Sequence, residues 1–237
     1  MTVILPSYIN FVNSHCGETA FIVGAGTSLK DIDLSFIHDH VVFSVNSSIL
    51  LMPWHRGDNR KRYWVSNDSG VMAWDYWKLV LKSKANKVVR NSWSPLYAKF
   101  DTTDFYEFKP RPTSEDIVRP HDTGLAYCSS VPSSLDLAIQ AGCSRIYLLG
   151  VDQYAQNGKS HYWQYWPRER QPKRGLSSQP NSMDNQLYAF GYNNKAYPAL
   201  LDFAMHRNCL VYNCNPISRV DCFEKISIEN VRDEFSK

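Results

Sequence analysis

No stretch of about 18 consecutive apolar residues occurs in the chain, the length a membrane-crossing helix requires. The start, MTVILPSYINFVNSHC, lacks both the basic n-region and the uninterrupted apolar core of a signal peptide, so the expected location is the cytoplasm, without a membrane span. The six cysteines contain no C-x-x-C pair, and no nearby H-x-x-x-H completes a zinc site. They read as reduced, mostly buried thiols. Charge of one sign is also scarce. A formal net charge of +3 is too small to argue for nucleic acid, and an anionic small ligand fits it equally well. Heptads and internal repeats are absent.

What remains is the composition of a folded protein. Hydrophobic residues make up 43% and charged residues 21% of 237 residues, near the average for globular chains. The length suits one domain, residues 1–237, with excursions. Aromatics concentrate between Trp54 and Trp77, Trp93 and Phe108, and Tyr154 and Tyr197, where they would fill a core or line a sugar or base site.

Continuous apolar runs bounded by turn residues predict buried parallel strands at Ala20–Val23, Val41–Val45 and Arg145–Leu149. Tyr63–Ser66, Lys87–Val89 and Leu210–Asn213 are weaker strands. Helices are expected at Leu29–Ile37, Val71–Ser83, Pro132–Ala141 with Gly142 as its C-terminal cap, and Lys195–Arg207, where Pro198 fits only the first turn. Strands alternating with helices give an α/β fold, a Rossmann-like, mostly parallel sheet flanked by helices. Asn91–Asp122 and Tyr162–Asn194 resist this pattern. The second, polar and punctuated by proline, reads as a mobile lid over 162–194.

Chemistry gathers at the strand ends. Gly24, Ala25 and Gly26 form a turn between the first strand and a helix start, with Ser28 following, so backbone N–H groups and the helix dipole there would hold a phosphate. The G-x-G-x-x-G fingerprint is incomplete. Leu29 replaces its third glycine, and Asn46 stands where a dinucleotide enzyme prefers Asp or Glu. That favours a nucleotide held as substrate. Asn46 and Asn67 follow the second and third strands on the same edge, as amides suited to a base, ribose or sugar or, alternatively, to turn formation. In RIYLLGVDQYAQNGKSHYW, Gly150, Asp152 and Tyr154 leave the sheet edge, and Lys159, His161 and Tyr162 follow an Asn-Gly turn. Tyrosine and lysine suit phosphate oxygens, and His161 is the natural titrating group. Asp31 and Asp33 imitate a D-x-D metal motif but lie too near the glycine turn, and read instead as first-turn helix acids. No metal site is expected.

FIVGAGTSLKDIDLS, VVFSVNSS, LAIQAGCSRIYLLGVDQYAQNG and LVYNCNP, in this order and spacing, resemble the bacterial sialyltransferases of glycosyltransferase family 42. The GxGxSL turn and the strand ending in LLGxD are similar as well to the broader 6-hydroxymethylpterin pyrophosphokinase-like Rossmann proteins. The first resemblance implies transfer of sialic acid from CMP-sialic acid to a glycan acceptor, with the nucleotide-sugar as substrate and no cofactor. It implies donor contacts at Asn46, Asn67 and Ser130, phosphate contacts at Tyr154 and Tyr162, and a base and ribose border at Asn213, Asn215, Pro216 and Ser218. Two positions depart from the family's pattern. Ala25 replaces an asparagine in the glycine turn, and Tyr192 replaces the histidine that serves as general base. A phenol, with an ordinary pKa of about 10, is a poor base at neutral pH, which leaves His161 as the substitute.

Three functions follow as expectations. The first is a sialyltransferase-like enzyme with His161, Tyr192, Tyr154 and Tyr162 at its catalytic centre. The second is a pterin pyrophosphokinase-like enzyme using ATP, with Mg²⁺ held by Asp68 and Asp152. The third is a catalytically idle nucleotide- or glycan-binding protein. The aromatic segments leave room for a homo-oligomer.

Overall fold

The structure, a computed structural model, describes residues 12–52, 59–90, 105–108, 129–175 and 183–235. Strands β1 (Thr19–Val23), β2 (Val41–Val45), β3 (Arg62–Ser66), β4 (Asn86–Arg90), β5 (Phe105–Phe108), β6 (Arg145–Leu149), β7 (Leu210–Asn213) and β8 (Glu224–Lys225) form one sheet. Their order is β5-β4-β3-β2-β1-β6-β7-β8, and every ladder within it is parallel. The expected α/β Rossmann-like fold is thus present. The chain leaves β1 toward β2 on one side and returns to β6 on the other, so the sheet reverses direction between β1 and β6. At such a reversal the connections on either side of the sheet diverge and open a crevice beyond the strand ends.

Helices α1 (Trp77–Lys82), α2 (Ser130–Gln140), α3 (Met183–His206) and α4 (Ile228–Phe235) cover both faces. Alternate residues of each strand enter different layers. Ile22, Phe43, Val65 and Leu148 pack with Leu135 and Ile139 of α2 and Leu200 and Phe203 of α3. Phe21, Val42, Trp64 and Tyr147 pack with Trp77 and Val80 of α1 and Val231 of α4. Covered on both sides, β2 and β3 are buried at every residue, which is why β2 reads as an apolar run rather than as an alternating pattern. Cys143, Cys209 and Cys214 are free, buried thiols whose pKa burial pushes up.

Four expectations are corrected. Leu29–Ile37 forms no α-helix but two 3₁₀ turns, Thr27–Leu29 and Ser35–Ile37. Between them Asp31 turns left-handed at φ +61°. The Asp33 carboxylate accepts from the Ser35 amide and hydroxyl, both at 2.9 Å. Neither acid therefore sits in a helix's first turn. Val71–Ser83 is likewise split into a 3₁₀ turn at Ser69–Ala73 and the short α1, because the extended Trp74 bridges Arg174. Pro198 lies inside α3, which begins at Met183, well before Lys195. Tyr197, Leu200 and Phe203 anchor that stretch in the core while Pro198 faces out, so packing outweighs the missing N–H bond. Finally, β5 adds a strand inside the Asn91–Asp122 stretch that resisted the pattern, and β8 adds a two-residue strand where none was expected.

The segment 162–194 contains several kinds of structure. Its start, a 3₁₀ turn at Tyr162–Tyr165, is tied down at Tyr162 N–H to Ala25 O (3.0 Å). Farther on, Asp75 N–H donates to Lys173 O (2.9 Å) and Gly175 N–H to Ala73 O (2.8 Å). Residues 176–182 lie outside the described part, and 183–194 belong to α3. Among the described residues no helix is long and apolar enough to cross a membrane.

Candidate functional site

A cleft of about 210 Å³ opens at the carboxyl ends of β1, β2, β3 and β6. Eight of the site residues expected from sequence line it, and three of them are joined by hydrogen bonds. Asn46 adopts φ +51° directly after β2, and its carbonyl accepts from Trp64 Nε1 at 2.9 Å. The Ser130 hydroxyl, at the first residue of α2, donates to Asn46 Oδ1 at 3.4 Å and accepts from the Asn67 amide at 2.9 Å. Asn67 Nδ2 donates in turn to Ser133 Oγ (2.8 Å) and Ser129 O (3.2 Å). Two strand ends are thereby fixed against the N-terminus of α2, whose dipole points into the cleft. Tyr154, Gly150, Ala25, Gly26 and His161 complete much of the wall.

His161 is held closely. Gln164 Oε1 accepts from the backbone amides of Ser160 (2.7 Å) and His161 (2.8 Å), and Nδ1 lies 2.8 Å from Ser160 Oγ. The ring leans on Trp163 with centroids 5.3 Å apart. Protein encloses it on most sides, and this burial pushes its pKa down to about 4. The imidazole is neutral at pH 7. Among the described lining residues only Asp68 then carries a charge, and its carboxylate caps the Gly70 amide at 2.8 Å.

The glycine turn serves another purpose than the one expected of it. Gly24 N–H donates to Leu149 O and Gly26 N–H to Gly150 O, each at 2.8 Å. A Cβ on Gly24 would stand 2.5 Å from Gly150 O, and one on Gly26 2.5 Å from the Asp152 carboxyl group. These glycines let two turns pack against each other. Asp152 is 3% exposed and accepts four hydrogen bonds, from Thr27 Oγ1 (3.2 Å), Ser28 N (2.8 Å), Ser28 Oγ (2.5 Å) and Asn215 Nδ2 (2.8 Å). The chain's own carboxylate thus fills the cradle assigned to a phosphate, and Ser28 and Asp152 bind each other. With only a 3₁₀ turn behind it, the cradle also lacks a helix dipole.

The C-terminal turn is corrected in the same way. Asn213 Nδ2 donates to Val151 O (3.1 Å) and Ser218 Oγ (3.0 Å), and Ser218 Oγ donates to Val151 O (2.7 Å). Asn213, Asn215 and Ser218 are buried beneath the β6 turn and Pro216 is exposed on the surface. None of them lines the cleft. Tyr162 leaves it too. Fully buried, Tyr162 donates its hydroxyl to Ser47 O at 2.8 Å, and burial raises its pKa. Tyr192 lies on α3, but its side chain is outside the described residues.

Lys159 sits at the rim rather than in the cleft, its ammonium 4.1 Å from the centre of the Tyr165 ring, with Lys30 4.9 Å from the same ring. Around it the stretch 154–175 carries Lys159, Arg168, Arg170, Lys173 and Arg174 against Glu169 alone. That local excess is larger than the whole chain's +3. Sequence reading missed Gln153, Asn193 and Phe190, which also line the cleft. Gln153 follows an expected strand end and was open to notice, whereas Asn193 and Phe190 come from a helix whose start was placed too late.

No family model and no curated protein matches the chain. Among solved structures, the glycosyltransferase Maf of Magnetospirillum magneticum AMB-1 superposes with a TM-score of 0.53 at 14% identity, over 93% of this chain and 37% of that one. This chain therefore spans little more than a third of that protein. The monofunctional alpha-2,3-sialyltransferase Cst-I of Campylobacter jejuni gives 0.50 at 16% identity, over 96% of this chain and 84% of that one. The sialyltransferase CstII of the same organism, in complex with cytidine-5'-monophosphate, gives 0.48 at 19% identity, over 90% and 86%. At these identities the likeness is one of fold.

Proposed function

We propose that the chain is a glycosyltransferase that takes a nucleotide-activated sugar, with a CMP-linked sugar as donor and a glycan as acceptor. The observation that carries this reading is the cleft at the sheet's reversal point, where Asn46, Asn67 and Ser130 converge on the N-terminus of α2. Such an edge is where open parallel sheets take nucleotides. Carboxamides and hydroxyls read the edges of a base or sugar without repelling an anion. The phosphate belongs at the α2 N-terminus, beside Ser129 and Ser130, because the glycine turn is closed by Asp152. Tyr154 alone of the two tyrosines lines the cleft and can hydrogen-bond the departing phosphate.

In this reading the acceptor hydroxyl gives its proton to His161. The ring is neutral at pH 7, its Nδ1 is held by Ser160, and Nε2 has no partner among the described residues. A base with a pKa near 4 is weak and calls for an acceptor oxygen already made acidic by developing bond formation. The chemistry is a substitution at the sugar's anomeric carbon. The acceptor oxygen bonds to that carbon, the carbon–phosphate oxygen bond breaks, and the nucleotide leaves with the electron pair.

The pyrophosphokinase-like alternative needs Asp152 as a metal anchor, yet both its oxygens are spent on four donors of the chain itself. Calorimetry with CMP, CDP, UDP, ATP and GTP, followed by donor hydrolysis, decides between the readings. Binding of a cytidine nucleotide and slow release of CMP from CMP-sialic acid are expected. No binding by any cytidine nucleotide would remove the proposal. Tight binding without turnover would mark a non-catalytic binder.

A further inference from the structure

Gln153 follows the Asp152 clamp in the left-handed region, at φ +55°, which a residue with a Cβ adopts only when its surroundings hold it there. This conformation places the side chain along the cleft, 8% exposed. Nε2 donates to the hydroxyl of Tyr197 at 3.2 Å, and Tyr197 is itself wholly buried. That bond holds the Nε2 end of the amide against α3. Its other end, Oε1, is buried and accepts from no described donor. A buried carbonyl oxygen left in that state is uncommon and asks for a partner that arrives from outside.

The surroundings indicate which partner. Asn193 lies one helical turn before Tyr197 on α3, is 5% exposed, and lines the same cleft with Tyr154, Ser160, His161 and Phe190. None of these side chains is charged at neutral pH. A hydroxyl-rich ring would find acceptors, donors and two aromatic rings here.

We propose that Gln153 reads the transferred sugar: its Oε1 accepts a hydrogen bond from a hydroxyl or amide N–H of that sugar, while the nucleotide occupies the opposite end at α2. This rests on the nucleotide-sugar reading of the cleft. Gln153→Met keeps the length of the side chain and removes the acceptor. Gln153→Gly removes the side chain together with the cost of its positive φ, so it is expected to fold and to melt no lower than the parent.

The experiment is calorimetry of the parent and both variants with CMP, UDP, CMP-N-acetylneuraminic acid and UDP-N-acetylglucosamine. The parent is expected to bind one nucleotide-sugar more tightly than the matching nucleotide. Both variants are expected to hold that nucleotide within about twofold and to lose about tenfold for the nucleotide-sugar, the effect of one hydrogen bond. Gln153→Glu, which retains acceptor oxygens, is expected to recover part of the loss. If either variant binds the nucleotide-sugar as the parent does, or if the parent gains nothing from the sugar, the role of Gln153 is overturned while a nucleotide site remains. If the parent binds no nucleotide at all, the nucleotide-sugar reading itself fails, and Gln153 with it.

Discussion

Replacing Asp152 with asparagine tests whether its carboxylate is a structural clamp or a ligand for metal and phosphate. One oxygen accepts from Thr27 Oγ1 and the Ser28 amide, the other from Ser28 Oγ and Asn215 Nδ2. A carboxamide can satisfy only one side. With its NH₂ toward Thr27 it confronts the Ser28 N–H, which cannot accept. With its NH₂ toward Asn215 it confronts another NH₂, and Asn215 cannot turn over freely because its Oδ1 already accepts from the Ile217 amide at 3.2 Å. At least one buried donor is then opposed by another, and the charge assistance to the remaining bonds is lost. An unsatisfied buried group costs about 1–3 kcal/mol. We expect Asp152→Asn to lose ~2–3 kcal/mol, and Asp152→Ala, which orphans every donor, ~3–5 kcal/mol. For a chain of this size about 1 kcal/mol moves the melting temperature by roughly 2–4 °C, so the asparagine variant should melt about 4–12 °C lower. Thermal unfolding at pH 7 with and without Mg²⁺, alongside CMP calorimetry, is the assay. A variant that melts with the parent but loses magnesium-dependent nucleotide binding would refute the clamp and restore Asp152 as a ligand.

Two further outcomes follow. Tyr162→Phe removes the buried hydroxyl's bond to Ser47 O and should cost about 1–2 kcal/mol in urea unfolding while turnover of the surviving folded protein stays within about twofold; lost turnover at unchanged stability would return the tyrosine to the phosphate. Burial holds the His161 pKa near 4 against an ordinary 6.5, so the unfolded chain takes the proton first as pH falls: this contribution is complete above about pH 6.5 and is lost between there and pH 4, by at most ~3 kcal/mol. His161→Gln should flatten that part of the stability profile, and if His161 is the base, the parent's transfer rate should show no drop near pH 6.5. A midpoint near 6.5 in either profile would show that the ring is not depressed.

The strands were legible wherever both faces are covered, since β1, β2 and β6 then spell unbroken apolar runs. FYEF of β5 and the two residues of β8 contain too little pattern to separate them from their polar neighbours. The convergence of Asn46 and Asn67 was also legible, because the end of a parallel strand fixes which edge a residue joins. Partners were not. Gly24–Gly26, Asp152 and Asn213–Ser218 have the composition of a ligand site, but a sequence does not say whether a donor faces a ligand or another turn. Here each set mostly satisfies the other. Gln153 follows a legible strand end, but its partner did not show in the sequence, because Tyr197 lies forty-four residues later.

The basic stretch 154–175 has a kinetic consequence. Because this stretch holds more positive charge than the chain as a whole nets, the remainder is close to neutral, and the molecule carries a lopsided field whose positive pole stands beside the cleft mouth. Anionic substrates drifting past would be drawn toward that side and turned before contact. At physiological salt this pull reaches only about 8 Å, so capture would quicken in dilute buffer and slow in concentrated salt, while departure, governed by hydrogen bonds within the cleft, would change less.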